Sequence, residues 1–340
     1  MFKPRFSAIT TGLLAVSTAV VLGSCSAAPA PAEPEPAVPE PAAVELTASR
    51  SASFSGVGDV TTIAEFDLAA GQLPENIVNA GRGVAVTFAA SGQIAAISPS
   101  GEIEVLGTLP APTGGGSATP VLGFALTTGL AHVDDSYYAL YATGEADTTG
   151  LWKLDDAGEF DLIAALPADG LPNGLAYDEE HERFLAADSV AGTVYSIDRN
   201  GAVETWSDDA GLAQAGFLGA NGVQLHRGDL YVSNLDAGTI QRIDIRDDGS
   251  AGAVTTAAED LAGVDDFAFT GRGDQIIATL NPSSEVVLVT GGVRTTVLTA
   301  EDGLSNPTSV LVRGDTVYVP SAAYVNQDSP NLLSATLQRD

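Results

Sequence analysis

The sequence predicts an all-β chain, a six-bladed β-propeller whose last blade takes its outer strand from the N-terminal segment. Three observations carry this. A short phrase recurs: Pro74-Glu75-Asn76-Ile77-Val78, Pro172-Asn173-Gly174-Leu175-Ala176, Ala220-Asn221-Gly222-Val223-Gln224, Val264-Asp265-Asp266-Phe267-Ala268 and Pro307-Thr308-Ser309-Val310-Leu311. Its copies, with a further unit around Gly123, return at intervals of roughly 40 to 50 residues, the period of a propeller blade. Each copy opens an apolar run that is followed by a polar turn and further short, alternating, β-branched runs, with no long amphipathic helix pattern between them.

The elements follow in order. In the third unit Gly174 to Tyr177 reads as the inner strand, Phe184 to Ala187 as the second, Gly192 to Ile197 as the third and Ala202 to Trp206 as the fourth. The fourth unit copies it with Gly222 to Leu225, Asp229 to Ser233, Thr239 to Ile243 and Gly252 to Thr256. Asn200-Gly201 and Asp248-Gly249 are tight-turn dipeptides between third and fourth strands. The last unit has only three strands of its own, ending with Leu332 to Leu337. Asp59 to Leu68 alternates apolar and polar residues and is expected to supply the fourth, which joins the chain ends and leaves no open edge.

The 340 residues carry 44 acidic and 14 basic side chains, a formal charge of −30, which argues against a nucleic-acid partner and favours cations. The single cysteine, Cys25, excludes an intrachain disulfide. Lys3 and Arg5 precede a short apolar stretch, Ile9 to Leu22, and Leu22-Gly23-Ser24-Cys25 resembles a bacterial lipobox. That resemblance implies residues 1–24 as a signal peptide and an acylated (palmitate-bearing) Cys25 anchoring the protein outside the cytoplasm, in a bacterial cell membrane. Residues 25–52, rich in Ala, Pro and Glu, read as a tether, and 53–340 as the propeller, expected to be monomeric.

Inner strands of a propeller start on one face, so the residue opening each one points into one mouth. The reading places Glu75, Leu122, Asn173, Asn221, Asp265 and Thr308 there. Glu75, Asn173, Asn221 and Asp265 offer two carboxylates and two amide oxygens, a set that suits Ca2+ and, without His or Cys, not zinc. The alternative is that Asn, Asp and Ser at strand starts cap turns through nearby backbone N–H groups. His132, His181 and His226 fall in or beside turns of the opposite mouth. Loops joining second to third strands carry Asp188, Ser189, Asn234, Asp236, Asn281, Tyr324 and Asn326. Of these, Asp188, Asn234 and Tyr324 are candidate substrate-pocket residues, Tyr324 by stacking.

The phrases Pro-Asn-Gly-Leu, Ala-Asn-Gly-Val and Val-Asp-Asp-Phe resemble those of the senescence-marker/gluconolactonase family of six-bladed calcium propellers, with paraoxonase-like and strictosidine-synthase-like relatives. The resemblance spans roughly Ser53 to Asp340. It implies a catalytic calcium held by Glu75, Asn173, Asn221 and Asp265, and a small lactone or ester as substrate. Gluconolactonase-type members carry an aspartate, the presumed base, where this chain has Asn221. That departure leaves Asp265 or Asp266 as the candidate catalytic base. The sequence therefore points to an envelope-anchored, calcium-dependent lactone or ester hydrolase. The rival readings are a non-catalytic propeller that binds a ligand or protein, and a lipoprotein whose calcium only stiffens the channel.

Overall fold

The computed structural model describes residues 53–112 and 119–339. The expected signal peptide, Cys25 and the expected tether lie outside the described residues. Twenty-four strands form six four-stranded antiparallel sheets. The first strand, β1 (Phe54–Glu65), belongs to the last sheet. The first blade is β2 (Pro74–Ala80), β3 (Gly83–Phe88), β4 (Gln93–Ile97) and β5 (Ile103–Thr108). The second is β6 (Leu126–Val133), β7 (Ser136–Ala142), β8 (Gly150–Leu154) and β9 (Phe160–Ala165). The third is β10 (Pro172–Asp178), β11 (Arg183–Asp188), β12 (Thr193–Asp198) and β13 (Val203–Ser207). The fourth is β14 (Ala220–His226), β15 (Asp229–Asn234), β16 (Thr239–Ile245) and β17 (Ala251–Ala258). The fifth is β18 (Val264–Phe269), β19 (Ile276–Leu280), β20 (Glu285–Thr290) and β21 (Val293–Leu298), and the sixth β22 (Leu311–Arg313), β23 (Thr316–Ser321) and β24 (Asn331–Arg339). β1 pairs antiparallel with β24, from Phe54 opposite Arg339 to Glu65 opposite Asn331. The expected closure by the N-terminal segment is thus present. The strand begins at Phe54 rather than Asp59, because register shifts near Gly56 and Gly58 break the alternation that marks a strand in sequence.

The core is repeated between blades. Phe184, Leu140, Leu151 and Ala164 pack together across the second and third blades, and Ala85, Ile94, Leu130 and Ala139 across the first and second. Phe88, Phe184 and Phe267 are among the largest fully buried side chains. Burying each such side chain contributes roughly 1.5–3 kcal/mol.

A ring of side-chain hydrogen bonds joins neighbouring blades at the level where the inner strands begin. Thr87 Oγ1 donates to Thr128 O (2.7 Å), Thr128 Oγ1 to Pro172 O (2.8 Å) and Ser189 Oγ to Ala220 O (2.7 Å). Ser233 Oγ donates to Asp265 O (2.7 Å), Ser309 Oγ to Asp266 Oδ2 (2.5 Å) and Thr308 Oγ1 to Pro74 O (2.9 Å). Each of the six junctions therefore carries one. Buried and directional, each contributes about 0.5–1.5 kcal/mol and fixes the height of one inner strand against the next. The start of β1 is tied to the fifth blade likewise: Phe54 N–H donates to Gln275 Oε1 (3.0 Å) and Gln275 Nε2 to Phe54 O (2.7 Å).

Candidate functional site

Cross-strand register aligns the inner strands. Pro74, Thr127, Pro172, Ala220, Val264 and Pro307 each lie opposite the last or, for Thr127, the next-to-last residue of a second strand. Except in the sixth blade, where that bridge is isolated, a register shift follows directly after. The residues one step further form an upper rung: Glu75, Thr128, Asn173, Asn221, Asp265 and Thr308. All six are buried. The second-blade member is Thr128, not Leu122. Leu122 lies in the loop before β6, half-buried against an apolar group that includes Leu126 and Leu171. The second blade lacks the Pro-x-Gly phrase at this point, and a threonine whose hydroxyl goes to Pro172 O takes the place of a ligand-type side chain.

A lower rung follows: Asn76, Gly129, Gly174, Gly222, Asp266 and Ser309. A Cβ on Gly174 would overlap the carbonyl oxygen of Asn221, and one on Gly129 that of Asn173. These glycines let neighbouring inner strands approach one another, and neither has a positive φ. The Asn-Gly pairs here are thus packing devices, not turns.

Two carboxylates face the upper mouth. Glu75 Oε2 accepts the phenol proton of Tyr324 at 2.5 Å. Asp265 Oδ1 accepts from Asn221 Nδ2 at 2.7 Å and Oδ2 from Asn281 Nδ2 at 2.9 Å. Tyr324 and Asn281 both sit in loops joining second to third strands, which lie at the mouth where the inner strands start. Asn173 completes the arc, its Nδ2 donating to Ser189 Oγ at 3.2 Å, and Ser189 Oγ in turn lies 3.4 Å from Asn221 Oδ1.

The electrostatics are unusual. Burial pushes Glu75 up to about 7, against the lowering effect of the Tyr324 hydrogen bond and with the Asp266 charge adding to the rise. Burial holds Asp265 well above the usual carboxylate range, and the charges of Glu75 and Asp266 raise it further. Burial also raises Asp266 to about 6, against hydrogen bonds from Ser309 and the Phe267 N–H. No ion pair among the described residues includes any of the three. Buried acids without a cationic neighbour hold protons or hold a cation. The donor set is oxygen-only, which fits a hard cation such as calcium. Among the described residues no group of three or more His, Cys, Asp and Glu side chains is arranged to hold a metal, so a cation here relies on the amides and on water.

The remaining sequence-derived residues fall elsewhere. Asp266 belongs to the lower rung, its Oδ2 taken by Ser309 and, at 3.4 Å, by Asn76 Nδ2, and its Oδ1 by the Phe267 N–H. Asp188 is fully buried, with Oδ1 accepting three backbone N–H groups, those of Leu171, Val190 and Ala191. Asn234 donates to the carbonyls of Gly211 and Ala213 and accepts from Ala237. Both side chains thus pin loops at the rim. His132, His181 and His226 lie at the turns of the opposite mouth; His226 stacks on Phe269 at 3.7 Å. The tunnel opens on that side into a cavity of about 840 Å³ lined by Asn76, Leu130, Tyr177, Gln224, Phe269 and Val310 among others. Sequence reasoning missed Thr128 and Asn306. The latter precedes the phrase in the sixth blade, and nothing in its local pattern marks it.

No family model matches this chain, and no curated protein does. Solved structures with the same fold include regucalcin from Agrobacterium tumefaciens, described as a calcium-binding protein. It is 15% identical, with a TM-score of 0.58, and the match covers 84% of this chain and 96% of that one. A luciferin-regenerating enzyme is 12% identical, with a TM-score of 0.61, covering 82% and 95%. A catalytically inactive virginiamycin B lyase from Staphylococcus aureus, crystallised with quinupristin, is 15% identical, with a TM-score of 0.55, covering 78% and 81%. At these identities the likeness is one of fold.

Proposed function

We propose that this chain is a calcium-dependent lactone or ester hydrolase of the senescence-marker/gluconolactonase type, tethered by an acylated Cys25 to the outer face of a bacterial membrane. One observation carries the reading: Glu75 and Asp265, buried and without any cationic partner, share the upper mouth with the amides of Asn173 and Asn221. Glu75, Asn173, Asn221 and Asp265 are the residues that would hold the ion. Bound calcium would polarise the substrate carbonyl as a Lewis acid.

The chain's own residues supply the rest. Asp265, held well above the usual carboxylate range by burial and by the Glu75 charge, takes a proton from water as that water bonds to the carbonyl carbon. The acyl C–O bond breaks, and the proton returns to the departing alkoxide, leaving a hydroxy acid or an acid and an alcohol. Asn281 and Asn221 orient the Asp265 carboxylate throughout. Asp266 lies one rung lower, bonded to Ser309, which favours Asp265 as the base.

A non-catalytic binding propeller is the second reading. It is favoured by the amide donors that already engage both oxygens of Asp265. Turnover of a panel of small lactones and esters, dependent on added calcium, separates the two. Asp265→Asn is expected to lower the rate by about 10²–10⁴-fold, the usual worth of a positioned base. Full turnover in that variant rules out the mechanism, and affinity without turnover in the wild type leaves the binding module.

A further inference from the structure

We infer that Tyr324 and Asn306 are positioning residues that aim the two carboxylates of the upper mouth, holding Glu75 and Asp265 through one shared brace. This rests on the calcium reading above. Tyr324 spends its phenol proton on Oε2 of Glu75, and Glu75 Oε1 is left for another partner. The ring that carries this bond sits on the β23–β24 loop, whose backbone is bent sharply: Ala323, Gln327 and Ser329 all have φ near +50°, at 55°, 55° and 49°. Three side-chain-bearing residues in the left-handed region within seven positions cost free energy that the surrounding contacts must offset. Ala323 is nevertheless fully buried.

Asn306 supplies those contacts. It is itself left-handed, with φ 54°, and 1% exposed. Its Oδ1 accepts the N–H groups of Val325 (2.9 Å) and Asn326 (3.2 Å), the two residues that follow Tyr324. Its Nδ2 donates to Asn281 O at 3.1 Å, and Asn281 Nδ2 holds Asp265 Oδ2. The backbone of Asn306 is held in turn: its N–H donates to Ser284 Oγ (3.0 Å) and its carbonyl accepts from Ala322 N–H (3.0 Å). One buried amide thus ties the loop that orients Glu75 to the loop that orients Asp265. The two acids come from the first and fifth blades, while the brace comes from the sixth. Hydrogen-bond partners behind metal ligands fix ligand orientation and typically change metal affinity by about 10–100-fold when removed.

The test is terbium binding to the full-length protein, Tb3+ standing in for calcium, read by emission sensitised through excitation of aromatic side chains. Calorimetry with Ca2+ runs beside it, and a thermal melt checks folding. The wild type is expected to bind Tb3+ and Ca2+ at one site. Tyr324→Phe keeps the ring and removes only the phenol oxygen. It is expected to bind both ions about tenfold more weakly. Asn306→Gly keeps the left-handed backbone without strain and removes the brace. It is expected to lose more affinity than Tyr324→Phe, because both carboxylates are released. Should Tyr324→Phe fail to fold, Asn306→Gly decides alone. Wild-type affinity in folded variants overturns the positioning role and leaves the calcium reading standing. A wild type that binds neither ion overturns both.

Discussion

Asn221 reaches across the junction between the fourth and fifth blades to donate its amide proton to Oδ1 of Asp265 at 2.7 Å. The contact neutralises part of a buried charge by a dipole rather than by a cation. In calcium sites the number of charged ligands sets the affinity.

Asn221→Asp tests this relationship. It replaces a donor by a like charge facing Asp265. Without calcium the variant should be less stable than the wild type, read as a lower melting temperature in chelator. With calcium it should bind about tenfold more tightly by calorimetry, since a third carboxylate offsets the ion's charge. Equal affinities would place Asn221 outside the ion's reach.

Stability of the chelator-treated protein should fall as pH rises from 5 to 8. Glu75 stands at about 7 against an ordinary 4.5, and Asp266 at about 6 against 3.8. Between those values the folded chain binds more protons than the unfolded one, so each rise in pH costs stability. The contribution is fully present below the ordinary values and is lost as pH passes the raised ones. For Glu75 alone the loss is on the order of 3 kcal/mol. Asp198 and Asp248 are lowered, by hydrogen bonds led by the Ala202 N–H and by Ser250, and they act only in more acidic solution, outside this window. Melting curves at pH 5, 6.5 and 8 should show the decline, and Glu75→Gln should make it shallower, Asp266 keeping its share. A profile that rises over this range contradicts the assignment.

Gly174→Ala should destabilise the fold by about 1–3 kcal/mol in urea denaturation, the usual cost of overpacking. The added methyl meets the Asn221 carbonyl, so the cost arises between blades and not from backbone strain. Gly314, at φ 63° with open space around its Cβ direction, makes a useful contrast: alanine there meets no atom and suffers only its conformation. If Gly174→Ala is neutral, the inner strands do not approach as closely as described.

The fold was readable because a propeller writes its pattern six times, and each unit repeats alternation, turn dipeptides and an opening phrase. The second blade was the exception. Its opening residue, Thr128, sits in an apolar-and-threonine run, Leu126 to Leu130, with no proline or asparagine to mark it, so the eye falls on Gly123 instead. The arc of Glu75, Asn173, Asn221 and Asp265 was readable from the phrases, since equal positions in equal units share one level. What supports it was not. Tyr324 invites a stacking role by its loop position, yet its phenol is turned onto Glu75. Asn306 acts through a left-handed backbone and three long-range bonds, none of which leaves a trace in local sequence.

The pairing of β1 with β24 has a consequence for how this protein comes into being. Glu75 is made before Asp265, and Asp265 before Tyr324, and the ring is sealed only when Phe54 meets Arg339. A chain emerging from the ribosome therefore holds Glu75 well before Asp265 exists. Its pair of buried acids can be brought together only once the first and fifth blades both exist.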